Sequence, residues 1–355
     1  MKLKKKNSLN NSKHCFVIAE AGSNWKSRTL KESIVRAKKM IDVAAKSGAD
    51  AIKFQTYSGD SVYVENAGQS KYLTNKGIKN NVKDVFDKFS MPHSMLPILS
   101  EYCKKRKIAF MSTPFSIQDA KEVNKFVKIH KIASYELNHT KLLEVISKTR
   151  KPVIISTGAN TLDEIDYAIK ILKKNDCKQI AILQCTAKYP APIESLNLNV
   201  IPELKKQYDV AVGFSDHSID PIIGPLTALN LGATIIEKHF TLDKSLKGPD
   251  HYFALNPKEL KTMIKSIRES ENSKGDKNKK IDSEEKELRQ FAVRSIQAIK
   301  NIKKGEQLGL GKNMDILRPG NQKRGEEPRY LKKIQGKKAK KTIKKGIGIL
   351  EKDCY

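Results

Sequence analysis

DVAVGFSDHSIDPIIGPLTALNLGATIIEKH, residues 209–239, holds a complete strand–helix–strand unit, and its reading decides the fold. Asp209-Val-Ala-Val carries a short apolar run, as a strand buried on both faces of a parallel sheet requires. Ser215, Asp216 and His217 sit at its C-terminal end. Pro221 opens a helical pattern through Asn230, and Ala233-Thr-Ile-Ile is a second apolar run closed by Glu237-Lys-His239. Two histidines thus end consecutive strands.

The same rhythm extends upstream. Phe16-Val-Ile-Ala, Ala51-Ile-Lys-Phe, Ile108-Ala-Phe-Met, Val127 to Ile132, Pro152-Val-Ile-Ile and Ile180-Ala-Ile-Leu read as six further strands. Helical patterns separate them at 29–46, 97–105, 117–126, 141–148, 162–174 and 200–207, and a last one covers 257–269. Thr29 is placed to cap the first helix and Gly48 to end it. Eight strand–helix units predict a (β/α)8 TIM barrel over 15–270. The alternative, an open doubly wound sheet, lacks its Gly-rich dinucleotide fingerprint after the first strand. Residues 58–90 interrupt the rhythm and are longer than an ordinary connection, which predicts a functional insertion.

Outside the barrel, residues 1–14 read as a flexible basic tail and 271–287 as a polar linker. From 288 to 355 short apolar pieces alternate with turn signals, predicting a small, mostly β domain. Ile302-Lys-Lys-Gly and Ile343-Lys-Lys-Gly form a weak internal echo there.

Lys and Arg total 68 against 39 acids, a balance that invites a nucleic-acid reading. The basic residues are mostly lysines spread over helix faces, with dense runs only near the two ends, so no specific nucleic-acid partner is expected. No apolar segment is long enough for a membrane span, and no secretory signal pattern follows the basic N-terminus. The five cysteines show neither metal-type nor disulfide-type spacing. Together these features point to a cytoplasmic protein.

In a barrel of this kind, function gathers at the C-terminal ends of the strands. Those ends carry Glu20, Lys53, Gln55, Ser112-Thr113, Lys131, Ser134, Glu136, Ser156, Gln184, Tyr189, Ser215, His217, Glu237 and His239. Singly each has an ordinary explanation, since a Ser or Thr there caps the next helix and a strand Lys snorkels to solvent. Jointly, lysines and hydroxyls at one mouth make a site for phosphate or carboxylate. His217 and His239 are either hydrogen-bonded structural residues or ligands of a divalent first-row metal with open positions. Asp216 either orients His217 or caps the following helix.

The ordered motifs are more specific. IAEAGSN (18–24), IKFQTY (52–57), STPF (112–115), KIAS (131–134) with Glu136, STGA (156–159), QCTAKYPAP (184–192), GFSDHS (213–218), EKHFT (237–241) and GPDH (248–251) span all eight units. With LRPGN (317–321), nearly the whole chain resembles the sialic acid synthase family, in which phosphoenolpyruvate condenses with an N-acetylated amino sugar. The resemblance implies that His217 and His239 hold a divalent metal (Mn²⁺, with Mg²⁺ or Co²⁺ as alternatives). It implies that Lys53, Thr113, Lys131, Ser134, Ser156 and Ser215 hold phosphoenolpyruvate, and that Glu20 or Glu136 is the base. It puts Gln55, Tyr189 and Asp250 at the sugar, with Glu20 also facing it. It makes the C-terminal domain antifreeze-like (SAF), exchanged between subunits of a homodimer so that Phe291 and Arg318 reach the neighbouring site.

Two departures bear on the sugar. Gln184-Cys-Thr-Ala187 stands where many relatives have His-Cys-Thr-Asn, and Trp25-Lys26-Ser27 stands where many have His-Glu or His-Asn-Gly. The implied product is an N-acetylneuraminate-type acid, with a 6-deoxy diacetamido hexose leading to a legionaminic- or pseudaminic-type acid as the alternative. Rival readings are another phosphoenolpyruvate-dependent aldose synthase, against which the C-terminal domain argues, and a polyanion binder with an inactive barrel.

Overall fold

The computed structural model describes residues 9–10, 13–74, 78–175, 177 and 179–355. They divide into two compact units, Met1–Lys274 and Gly275–Tyr355.

The first unit alternates strand and helix from its first strand. β1 (Phe16–Gly22) leads to α1 (Leu30–Ser47), and β2 (Ala51–Thr56) follows. The Thr29 hydroxyl accepts from the Glu32 amide at the start of α1, and Gly48 ends that helix in the left-handed conformation at φ 88°. The 58–90 excursion carries α2 (Gly59–Val62), α3 (Lys71–Thr74) and α4 (Val82–Phe89). Alternation then resumes through α5 (Met95–Arg106), β3 (Ala109–Pro114), α6 (Ile117–Asn124), β4 (His130–Ile132), α7 (Thr140–Ser147) and β5 (Val153–Ser156). It continues with α8 (Leu162–Lys174), β6 (Ile180–Cys185), α9 (Val200–Tyr208), β7 (Ala211–Asp216), α10 (Ile223–Asn230), β8 (Ile235–His239) and α11 (Pro257–Ser273).

The eight strands are parallel, in the order β3-β2-β1-β8-β7-β6-β5-β4. Because β1 pairs with both β2 and β8, the sheet curls on itself into a near-closed barrel. β3 and β4 lie side by side, but no ladder joins them among the described residues. β4 is shorter than the run from Val127 suggests, because residues 125–129 turn before the ladder with β5 begins at His130.

Two apolar layers account for this arrangement. One packs the outer strand faces against the helices, with Val17, Ala19, Ile52, Phe54, Ile155, Ile182, Val212 and Ile236 facing residues such as Met40, Ile41, Leu143 and Ile264. The other fills the barrel interior with Ile18, Ala51, Met111, Ile129, Ile154, Leu183 and Ile235. Leu9, from the stretch expected to be a tail, is 5% exposed in this inner cluster, and its carbonyl accepts from the Thr234 hydroxyl at 2.6 Å. Gly213 is required where β7 meets β8, since a Cβ there would lie 2.4 Å from the Ile235 carbonyl oxygen.

In the second unit, α12 (Lys286–Ala292) precedes an antiparallel pair, β9 (Ser295–Ala298) and β10 (Met314–Leu317). The sequence echo has a structural counterpart. Ile302 and Ile343 exchange both backbone hydrogen bonds, at 2.8 and 2.9 Å. Gly305 N–H donates to Ala339 and Gly346 N–H to Ala298, each at 2.7 Å, so matching positions of the two copies are paired reciprocally. Ile296, Leu308, Met314, Ile334 and Ile349 fill the core between them.

Candidate active site

Side chains alternate faces along a strand, so the position two beyond an interior apolar residue also points inward. Beyond Ile18, Ala51, Met111, Ile129, Ile154, Leu183, Gly213 and Ile235 stand Glu20, Lys53, Thr113, Lys131, Ser156, Cys185, Ser215 and Glu237. These eight form a polar ring above the apolar plug, one from each strand or its immediate register, and all border a cavity of about 680 Å³.

The lysines are buried here, not extended to solvent. Lys53 Nζ lies 2.6 Å from Glu20 Oε2, donates to Thr113 Oγ1 at 3.0 Å and stands 3.7 Å from Glu237 Oε1. Lys131 Nζ donates to Ser156 Oγ at 2.7 Å and to the Ile132 carbonyl at 3.0 Å, with Glu237 Oε1 at 3.8 Å. The floor thus holds two ammonium groups against two carboxyl groups. Burial pushes the Glu20 carboxyl up to about 7, against the pull of Lys53. Burial acts on Glu237 the same way, but Lys131 and Lys53 outweigh it and hold that carboxyl below its ordinary value.

The histidines stand just above this floor. The His217 and His239 ring centroids are 5.6 Å apart, and the Tyr189 ring lies over His217 at 4.1 Å. His217 Nδ1 lies 2.8 Å from the Thr186 carbonyl, which sets that nitrogen as the donor, so that in the neutral ring the lone pair is on Nε2. Burial disfavours the His217 cation, yet Cys185 and the Thr186 carbonyl hold its pKa raised. His239 is driven well below its ordinary value, first by burial and then by His217 and Lys53, so it is neutral. Its Nδ1 is buried without a hydrogen-bond partner.

Asp250 is half-buried beside the pair and accepts from the Ser23 hydroxyl at 3.0 Å. Gly22, at φ 49°, permits this approach, since a Cβ there would stand 2.8 Å from Asp250 Oδ2. Gln55 Nε2 donates to Glu20 Oε1 at 2.9 Å, and Ser134 Oγ accepts from the Gly158 amide at 3.0 Å.

Of the residues singled out from the sequence, Glu20, Lys53, Gln55, Thr113, Lys131, Ser134, Ser156, Tyr189, Ser215, His217, His239 and Asp250 border the one cavity. Glu136 is buried on the turn after β4, within electrostatic reach of Lys131. Burial raises its carboxyl to about 7, and its Oε2 has no hydrogen-bond partner. Phe291 and Arg318 belong to the second unit, where the Gly320 amide donates to the Phe291 carbonyl. Asp216 does not cap α10: it pairs with Lys238 and accepts from the Ser218 amide, bracing the backbone around His217, while Asp220 accepts from the Ile222 and Ile223 amides. Sequence reasoning placed Glu237 at its strand end without giving it a role, and passed over Cys185. The signal was available, since each lies two residues before or beyond an inward-facing position of its strand.

A family comparison decides what this arrangement belongs to: residues 40–279 match the model of the NeuB family. The chain belongs to the NeuB family. It is a nonulosonic acid synthase, a phosphoenolpyruvate-condensing transferase. A pseudaminic acid synthase of Campylobacter jejuni is 36% identical over 350 residues, covering 98% of both chains. An N,N'-diacetyllegionaminic acid synthase of the same species is 37% identical, covering 96% of this NeuB-family chain and all of that one. The crystal structure of the spore coat polysaccharide biosynthesis protein SpsE of Bacillus subtilis superposes with a TM-score of 0.65 at 34% identity, covering 99% of both chains. Among the described residues, no helix is long and apolar enough to cross a membrane.

Proposed function

We propose that the chain condenses phosphoenolpyruvate with a 2-acetamido hexose and water, releasing a nonulosonic acid and phosphate. The observation that carries this reading is the polar floor: two buried lysines, each on a hydroxyl partner, face the cavity beneath two imidazoles. N-acetylmannosamine, giving an N-acetylneuraminate-type acid, and a 6-deoxy diacetamido hexose are the acceptor classes in play.

In this reading Lys53 and Lys131 meet the phosphate and carboxylate of phosphoenolpyruvate, with Thr113, Ser134, Ser156 and Ser215 completing its hydrogen bonds. Gln55, Tyr189 and Asp250 orient the open-chain sugar. C3 of the enol attacks the aldehyde carbon, and C2 becomes cationic. Water adds at C2, and the C2–O bond to phosphate breaks. Fixed ammonium groups offset the charge on the leaving phosphate. Two carboxyls at about 7 are candidates to accept the water's proton: Glu20, which borders the cavity, and Glu136, whose Oε2 is unpartnered.

His217 and His239 fit a divalent cation. Both are neutral-capable imidazoles at the cavity, and His239 Nδ1 has no other partner. Among the described residues, no cluster of three or more His, Cys, Asp or Glu is arranged as a closed metal site, so the remaining positions fall to water and substrate oxygens. Such an ion supplies Lewis-acid polarisation of the sugar aldehyde.

We also propose a cytoplasmic homodimer with exchanged C-terminal units, in which Phe291 and Arg318 complete the neighbouring sugar site. The deciding assay incubates the protein with Mn²⁺, phosphoenolpyruvate and a panel of amino sugars and aldoses. Phosphate release with acetamido hexoses, and a product mass equal to sugar plus a three-carbon acid, is the expected result. Release only with unsubstituted aldoses, or none at all, overturns the reading.

A further inference from the structure

Asp216 and Lys238 face away from the cavity, since they alternate with the inward-facing Ser215 and Glu237 on β7 and β8. They are register partners in the β7–β8 ladder, and each immediately precedes a histidine of the candidate site. A lysine on that face would ordinarily extend past the helices to solvent. Lys238 instead ends in a closed set of contacts: its Nζ lies 2.5 Å from Asp216 Oδ2 and donates to the Ser218 carbonyl at 2.7 Å and to Ser218 Oγ at 3.2 Å. The Ser218 amide donates in turn to Asp216 Oδ1 at 2.7 Å.

The turn held in this way is Asp216-His217-Ser218. Both residues that flank His217 are tied to one ammonium group, and that ammonium belongs to the residue next to His239. The His217 carbonyl accepts from the Ala191 amide at 3.0 Å, and the His239 carbonyl from the Leu255 amide at 2.9 Å. Those bonds anchor each histidine separately, whereas the Asp216–Lys238 pair links one to the other. An apolar pair of similar volume often fills such a space without loss of stability. What the charged pair adds is direction, because charge-assisted hydrogen bonds fix a turn more narrowly than packing alone.

Resting on the reading that His217 and His239 hold a divalent cation, we infer that Asp216 and Lys238 are positioning residues of that site. They fix the backbone on either side of His217 and tie it to the strand that carries His239, and so set the 5.6 Å separation of the two imidazole centroids. Partners that orient metal-binding imidazoles are worth roughly ten- to a hundredfold in metal affinity.

The test is Mn²⁺ binding to the chelator-treated chain, measured by calorimetric titration for the wild type and for Asp216→Leu combined with Lys238→Met, which removes both charges together. The double variant is expected to keep a cooperative thermal transition near that of the wild type while binding Mn²⁺ roughly ten- to a hundredfold more weakly. At saturating Mn²⁺ its KM for phosphoenolpyruvate is expected to stay that of the wild type, because Lys53 and Lys131 stand on β2 and β4, neither of which adjoins β7 or β8 in the sheet. If the double variant does not fold, Asp216→Asn, which keeps the shape of the carboxylate and loses the charge that holds Lys238, carries the same comparison. Unchanged Mn²⁺ affinity, or a loss matched by an equal rise in the KM for phosphoenolpyruvate, would overturn the inference while leaving the metal assignment intact. No Mn²⁺ binding by the wild type overturns that assignment and the inference with it.

Discussion

Lys238 Nζ lies 2.5 Å from Asp216 Oδ2, and both side chains are almost wholly enclosed, at 1% and 0% exposure. The same ammonium donates to the Ser218 carbonyl at 2.7 Å, so the pair clamps the backbone on either side of His217. Removing one partner strands the other charge in the interior. Lys238→Met is expected to cost about 3–5 kcal/mol in urea unfolding, while Lys238→Met combined with Asp216→Leu recovers most of that loss. Equal destabilisation by the single and double variants would show that packing, not charge, holds the turn.

The carboxyls raised to about 7 give a pH signature. A base must be deprotonated, so kcat/KM is expected to rise with pH along a limb centred near 7. Glu20→Gln and Glu136→Gln separate the candidates: replacing the base removes that limb together with most activity, and replacing the other leaves the limb in place. For stability the sign is the reverse. Folded Glu136 keeps a proton that the unfolded chain gives up from its ordinary value of 4.5, so its contribution is full below that value and is lost as pH rises toward about 7. Glu136→Gln should flatten that part of the stability profile.

A cation on His217 and His239 predicts binding that is visible apart from turnover. Calorimetric titration of the chelated protein with Mn²⁺ should give one site per chain, and a rise in Tm should accompany it. His239→Ala should abolish both signals. Full turnover in excess chelator would refute the assignment.

Exchange of the C-terminal units predicts complementation. Lys53→Met and Arg318→Ala are each expected to be nearly inactive alone. Dissociated and reassociated in equal amounts, they form mixed dimers with one intact site, restoring on the order of a quarter of wild-type activity. A monomer by light scattering, or no recovery, would exclude the exchange.

The buried lysines predict a split in the kinetic constants. Lys131→Met removes a charge-assisted contact worth about 1.5–3 kcal/mol, a ten- to hundredfold loss in kcat/KM. The loss should fall mainly on the KM for phosphoenolpyruvate. A change confined to the KM for the sugar would move Lys131 out of the phosphate-binding group.

The strand runs from Phe16 to His239 and the period-2 register along them are sequence properties. They placed Glu20, Lys53, Thr113, Lys131, Ser156, Ser215, His217 and His239 at one end of a barrel before any coordinates, because alternation assigns each side chain a face. The same rule extends to Glu237 and Cys185, which the motif reading left unassigned. What the tertiary structure alone decided are matters of distance between segments far apart in the chain. It set Lys238 against Asp216, and it put Leu9 under the barrel. It split the three buried glutamates of the barrel mouth into Glu237, held low, and Glu20 and Glu136, raised to about 7, since desolvation and charge pairing depend on which groups meet and how deeply. It also gave residues 58–90 a small core of Leu73, Val82 and Val85 at the edge of the cavity, because their sparse apolar residues acquire a common face only once the excursion has folded.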